Sequence, residues 1–179
     1  MRREAFIHFS FLISLFIFIS LAKKWLAIPY WPFWVGGLIG TLLPDLDHVI
    51  YALYLKPQDL NSQRINYMIQ KRQIWETIKF LSETRYERTK LIFHTSLFQI
   101  IFMILTFWVV TSSGSPFGRG IVLAFSLHLL IDQAVDITET GGLSNWFKTF
   151  PFWSPSDKKQ AWAWWGGGLI LLLIFGFLL

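Results

Sequence analysis

Along this chain, apolar runs about twenty residues long alternate with short polar or aromatic segments. Ala5 to Ala22 is apolar apart from His8 and a few serines. Trp34–Leu55, Leu91–Ser112, Phe117–Ile137 and Ala161–Leu179 form four more such runs. Each is long enough to cross a bilayer as a helix. The pattern therefore predicts an all-α, polytopic membrane helix bundle of about five transmembrane helices in one domain, 1–179. Arg2 and Arg3 before the first run, and Ser20-Leu21-Ala22 near its end, also suit a secretory signal. The run exceeds a usual signal core, so an uncleaved helix is expected.

Residues 56–90 break this pattern. Eight basic residues fall there, and Ile65, Met68, Ile69, Ile74, Ile78 and Leu81 recur at roughly helical spacing. An amphipathic segment is expected, either lying on the membrane surface or folded as a hairpin cap over the bundle. Residues 29–34 (Pro-Tyr-Trp-Pro-Phe-Trp) form an aromatic turn of the kind found at headgroup depth. Ser113-Gly114-Ser115-Pro116 makes a tight connection, and 138–160 a polar and aromatic loop.

Composition agrees with the pattern. Hydrophobic residues make up 54% of the chain and charged residues 15%, against about 25% in soluble domains. The absence of cysteine excludes disulfides and thiolate metal sites. The net charge of +5 lies between the apolar runs, which argues against a nucleic-acid partner. With five spans, thirteen Lys and Arg fall on the side of the N-terminus and three on the other. The positive-inside bias then places the N-terminus and residues 56–90 in the cytoplasm.

Within the apolar runs the informative residues are the ionisable ones, which are costly in a membrane and mark functional positions. Thr41-Leu42-Leu43-Pro44-Asp45-Leu46-Asp47-His48 places two carboxylates and an imidazole in the second run. Gly36, Gly37 and Gly40 would let another helix approach closely, and Pro44 predicts a kink. His8 lies early in the first run, His94 early in the third, and His128 with Asp132 late in the fourth. With alternating helix directions, all four histidines fall in one layer on four helices. Asp45/His48 (i, i+3) and His128/Asp132 (i, i+4) each share a helix face, and Asp136 continues the latter. Imidazole with carboxylate suits zinc, with manganese or iron as alternatives.

Taken together, the early His8, the Leu-Pro-Asp-Leu-Asp-His of residues 43–48, His94 with Ser96, and His128 with Asp132 resemble the YdjM-like family. That family comprises LexA-regulated, membrane-bound, metal-dependent hydrolases of the bacterial inner membrane. It is distantly similar to zinc-dependent phospholipases C and single-strand nucleases. The resemblance spans roughly residues 5–155 and implies metal-activated water and a phosphoester substrate. The sequence departs from the family where a His-Arg often precedes the third element; residues 88–93 contain no histidine.

The expected function is a membrane-bound metal-dependent hydrolase working near the cytoplasmic face. His8, Asp45, His48, His94, His128 and Asp132 are the expected metal ligands. Asp47 or Asp136 would serve as general base, and Arg88 and Lys90 would hold a substrate phosphate. Membrane lipids, or a lipid-linked substrate, are the expected partners. Two other readings stay open: an ion or proton pathway built on the Asp/His layer, and a non-catalytic membrane protein with a structural metal. Bis-histidine haem binding is disfavoured by the aspartates.

Overall fold

The computed structural model describes residues 2–88, 91–150 and 152–179. Among them the fold is all-helical, with no strand. The stretches Glu4–Ala22, Ile28–Leu55, Pro116–Glu139 and Lys158–Leu178 are long and apolar enough to cross a membrane. The elements are α1 (Arg2–Ala22), α2 (Trp31–Leu42), α3 (Leu46–Ile50), α4 (Leu60–Gln70), α5 (Ile74–Glu83), α6 (Ser96–Ser112), α7 (Pro116–Glu139) and α8 (Lys158–Leu178).

The expected third span is shorter than its apolar run. Thr95 caps α6 by accepting from Phe98 N–H through its hydroxyl (3.3 Å), so residues 91–95 form a bent, non-helical lead-in. Seventeen residues rise only about 26 Å, short of the roughly 30 Å hydrocarbon core.

Helix α7 is the axis of the bundle, buried along most of its length. Ser115 caps it by accepting from Gly118 N–H, and Pro116 supplies a preset first turn. Helix α2 lies against it, backbone on backbone. A Cβ on Gly36 would stand 2.2 Å from Phe117 O, and one on Gly120 would stand 2.2 Å from Phe33 O. The close approach expected from Gly36, Gly37 and Gly40 is thus present. Gly37 receives the Phe16 ring of α1, which stacks on Phe33 at 4.2 Å. Leu123, Leu130, Leu172 and Phe175 extend this core to α8.

The expected helix 34–55 is broken. α2 ends at Leu42, and residues 43–48 continue through i→i−3 bonds, Leu46 N–H to Leu43 O, Asp47 N–H to Pro44 O and His48 N–H to Asp45 O. Proline cannot donate to the preceding turn, and the tighter winding re-aims the side chains that follow. Residues 51–55 finish as a π-helical turn.

Residues 60–83 form a helical hairpin, α4 and α5, turning at Arg72 with φ 56°. Ile65 and Met68 are buried, and the Arg64 guanidinium lies 4.5 Å from the centre of the Phe80 ring. Ser82 Oγ donates to Glu4 of α1 at 3.0 Å. The segment is thus a helical hairpin packed against α1, with Ile74 and Trp75 exposed.

A buried amide pair joins three helices. Gln133 Nε2 of α7 donates to Gln99 Oε1 of α6 (2.7 Å), Gln99 Nε2 donates back (3.2 Å), and Trp164 Nε1 of α8 donates to Gln99 Oε1 (3.1 Å). Leaving buried partners unsatisfied costs about 1–3 kcal/mol each. Gln99→Ala is therefore expected to destabilise the detergent-solubilised protein by about 2–4 kcal/mol, read from thermal melting. An unchanged melt would show that the network is not structural.

Candidate metal centre

Four elements deliver the histidines to one layer: α1 (His8), α3 (His48), the lead-in to α6 (His94) and α7 (His128). The His8 and His128 rings lie 4.1 Å apart, His48 and His94 5.3 Å, and His94 and His128 6.4 Å. All four are buried.

Asp132 is the hub. Its Oδ2 lies 3.0 Å from His94 Nε2 and 3.2 Å from His128 Nε2, while its Oδ1 lies 3.4 Å from His8 Nε2. Arg85 Nη2 donates to the same Oδ1 at 3.1 Å. The i, i+4 spacing on α7 sets His128 and Asp132 side by side, as the sequence implies.

One group among the described residues has the geometry to hold a metal ion. His8, His128 and Asp132, all buried, offer ligand atoms that lie within 4.8 Å of one another. His8 Nδ1 donates to Glu4 O at 2.9 Å, which leaves its Nε2 lone pair directed into the group. Among the described residues, His8 Nε2 and both ring nitrogens of His128 are buried without a hydrogen bond. Buried polar atoms are nearly always satisfied, and a cation is an occupant that would satisfy the two Nε2 atoms facing Asp132.

The other expected ligands stand differently. Asp45 is at the rim, its side chain 61% exposed and Oδ1 3.7 Å from His128 Nε2. His48 Nδ1 accepts from Arg88 Nε at 3.0 Å. Its one ring proton then belongs on Nε2, which makes that nitrogen a donor rather than a metal ligand. His94 spans two carboxylates, Asp132 at Nε2 and Asp47 at Nδ1 (3.2 Å). It ties Asp132 of the group to Asp47 behind it.

Asp47, expected as a candidate base, is fully buried and turned inward by the Pro44 turn. Its Oδ1 accepts from Ile92 N–H (3.0 Å), and its Oδ2 accepts from Phe93 N–H (2.6 Å) and His94 N–H (3.3 Å). It fastens the bent lead-in and orients His94. Asp136 accepts from Trp146 Nε1 at 2.7 Å and borders a small polar cavity of about 50 Å³ with His48, Arg85, Arg88 and His94.

Of the expected phosphate ligands, Lys90 lies outside the described residues. Arg88 donates from all three guanidinium nitrogens, to His48 Nδ1, Thr84 Oγ1 (2.8 Å) and Leu81 O. Burial pulls it down to about 10, so it stays charged at neutral pH and works as a brace. Arg85 and Glu4 are the site residues that the motif reading missed. Arg85 lies just past the end of α5, in the short turn 85–87. With Ile78, Leu81 and Ser82 it borders a larger cavity of about 320 Å³ between α1, α3 and α5, with His8, His128 and Asp132 in its wall.

Fold and site together define a class: an all-helical protein with helices of membrane-spanning length, enclosing a buried His/Asp group able to hold a metal ion. No family model matches the chain, and no curated protein or solved structure matches it.

Proposed function

We propose that this protein is a membrane-embedded, metal-dependent hydrolase acting on a phosphoester or lipid-linked substrate. The observation that carries the metal is the convergence of His8 Nε2, His128 Nε2 and Asp132, with buried imidazole nitrogens left without hydrogen bonds. The resemblance of Leu-Pro-Asp-Leu-Asp-His and its companion motifs to the YdjM-like family supports hydrolysis, and a His/carboxylate donor set suits zinc, then manganese or iron. When bound, such an ion supplies a Lewis acid that polarises the scissile group and acidifies a water.

The chain's own residues prepare that chemistry. Glu4 O fixes the His8 tautomer. The Asp47–His94 pair holds Asp132 in place from behind. Arg88 sets His48 to present a proton from Nε2. Asp136, beside a cavity with room for a water, is better placed to take a proton than Asp47, whose two oxygens are engaged. The exposed Ile74 and Trp75 of α5 suit the membrane interface. The excess of Lys and Arg in residues 56–90 supports a cytoplasmic side for this end, and the family resemblance supports a bacterial inner membrane.

Metal analysis of detergent-purified protein tests this reading. About one zinc, manganese or iron ion per chain is expected in the wild type, with loss in His8→Ala and His128→Ala. Hydrolysis of phosphate esters should follow metal content. A wild type that takes up none of these ions, or hydrolyses phosphate esters equally without metal, would overturn it.

A further inference from the structure

We infer that Arg85 is the anion anchor of this site, and that its ligand is an amphiphile ending in a phosphate dianion. The inference rests on the metal-centre reading above and adds the chemical class of the ligand.

Arg85 sits where the anchor must be. Its Nη2 lies 3.1 Å from Asp132 Oδ1 and its Nη1 3.6 Å from Glu4 Oε1, and it borders both the 320 Å³ cavity and the small polar one. Arg88 braces the wall behind it through His48 Nδ1, Thr84 Oγ1 and Leu81 O, and does not border the larger cavity. A guanidinium is the side chain best shaped to bind phosphate through two parallel hydrogen bonds.

Charge gives the sign of the ligand. Arg85, with 12% of its side chain exposed, shares the Asp132 carboxylate that would hold a divalent cation, so two cationic groups would stand side by side in the wall of the larger cavity. Like charges held together away from water are costly. A phosphate dianion offsets the added cation and gives Arg85 a two-point partner beside Glu4.

Shape gives the rest of the ligand. Away from Arg85 the larger cavity is walled by Phe9, Leu42, Leu46, Val49, Ile78 and Leu81. Inorganic phosphate would leave that wall uncovered, whereas an alkyl chain would cover it and gain from each methylene buried.

Calorimetric titration of zinc-loaded protein in maltoside at pH 8 tests this, with metal content measured on the same samples. The probes are dodecyl phosphate, inorganic phosphate, and dodecylphosphocholine, whose phosphate is a zwitterionic diester. Dodecyl phosphate is expected to bind at least tenfold more tightly than either of the others. Arg85→Gln should lose at least tenfold for dodecyl phosphate at unchanged metal content, and Arg85→Lys should recover part of it. Ile78→Glu, at a half-exposed position, should weaken dodecyl phosphate and spare inorganic phosphate.

Equal binding of dodecyl phosphate by Arg85→Gln and wild type overturns the assignment. Inorganic phosphate binding as tightly as dodecyl phosphate overturns the amphiphile. Loss of metal in Arg85→Gln would make Arg85 a support of Asp132 and also overturn it. Failure of the parent reading is distinct, since it appears as a wild type without metal.

Discussion

Asp132→Ala is expected to be the most damaging single substitution at the site, costing about 3–5 kcal/mol of stability and abolishing metal uptake. The carboxylate is 2% exposed and faces Arg85, His8, His94 and His128 at once. Truncation removes the nearer of two carboxylates that face Arg85, takes the partner from His94 Nε2, and deletes the anionic member of the metal group. Asp132→Asn keeps the volume but not the charge, so it should fall between wild type and alanine in stability and still lose the ion. Pairing Asp132→Asn with Arg85→Gln removes both charges together. The double variant is expected to be more stable than Asp132→Asn alone, because a buried pair removed as a unit costs far less than one partner removed. Tryptophan-fluorescence melts of the four metal-free proteins provide the double-mutant cycle. Additive losses would mean that Arg85 and Asp132 do not act as a pair.

The cycle probes an arrangement that was only partly visible in the sequence. The helices were legible because runs of twenty apolar residues have few alternatives. The convergence of the four histidines was legible because depth along alternating helices is simple geometry. The inner detail was not, because it depends on the Pro44 turn. An ideal helix through residues 34–55 sends Asp45 and His48 inward and Asp47 away. The i→i−3 winding after Leu43 buries Asp47 and leaves Asp45 largely exposed. His94 sits ahead of its helix because Asp47 takes up the backbone N–H groups of residues 92–94 before Thr95 caps α6. Arg85 was hidden for another reason. It belongs to a segment whose charges also suited a membrane surface, and only the fold of the hairpin brings one of them against Asp132.

Gly120→Ala is expected to weaken the fold and the metal site together, though it lies about 12 Å along α7 from His128. The Cβ it adds would stand 2.2 Å from Phe33 O and 3.0 Å from Gly37 N, both backbone atoms that no rotamer change can move aside. α2 and α7 must separate to admit it. Gly36 and Gly40 close the same seam from the other side, 2.2 Å from Phe117 O and 2.3 Å from Ile121 O, so the strain spreads along the contact. Overpacking of this kind costs about 1–3 kcal/mol or more, and it outweighs the gain of up to about 1 kcal/mol that alanine brings to a helix interior. The seam also leads into the Pro44 turn, which carries Asp45, Asp47 and His48 opposite His128 and Asp132. Separating the helices therefore loosens the site, and zinc affinity should fall at least tenfold along with the melting temperature. Gly167→Ala in α8 is the matched control. A Cβ there meets nothing within 4 Å, so propensity alone operates and stability should hold or rise slightly, with zinc binding unchanged. If Gly120→Ala melts and binds zinc like Gly167→Ala, the backbone contact between α2 and α7 is not what positions the site.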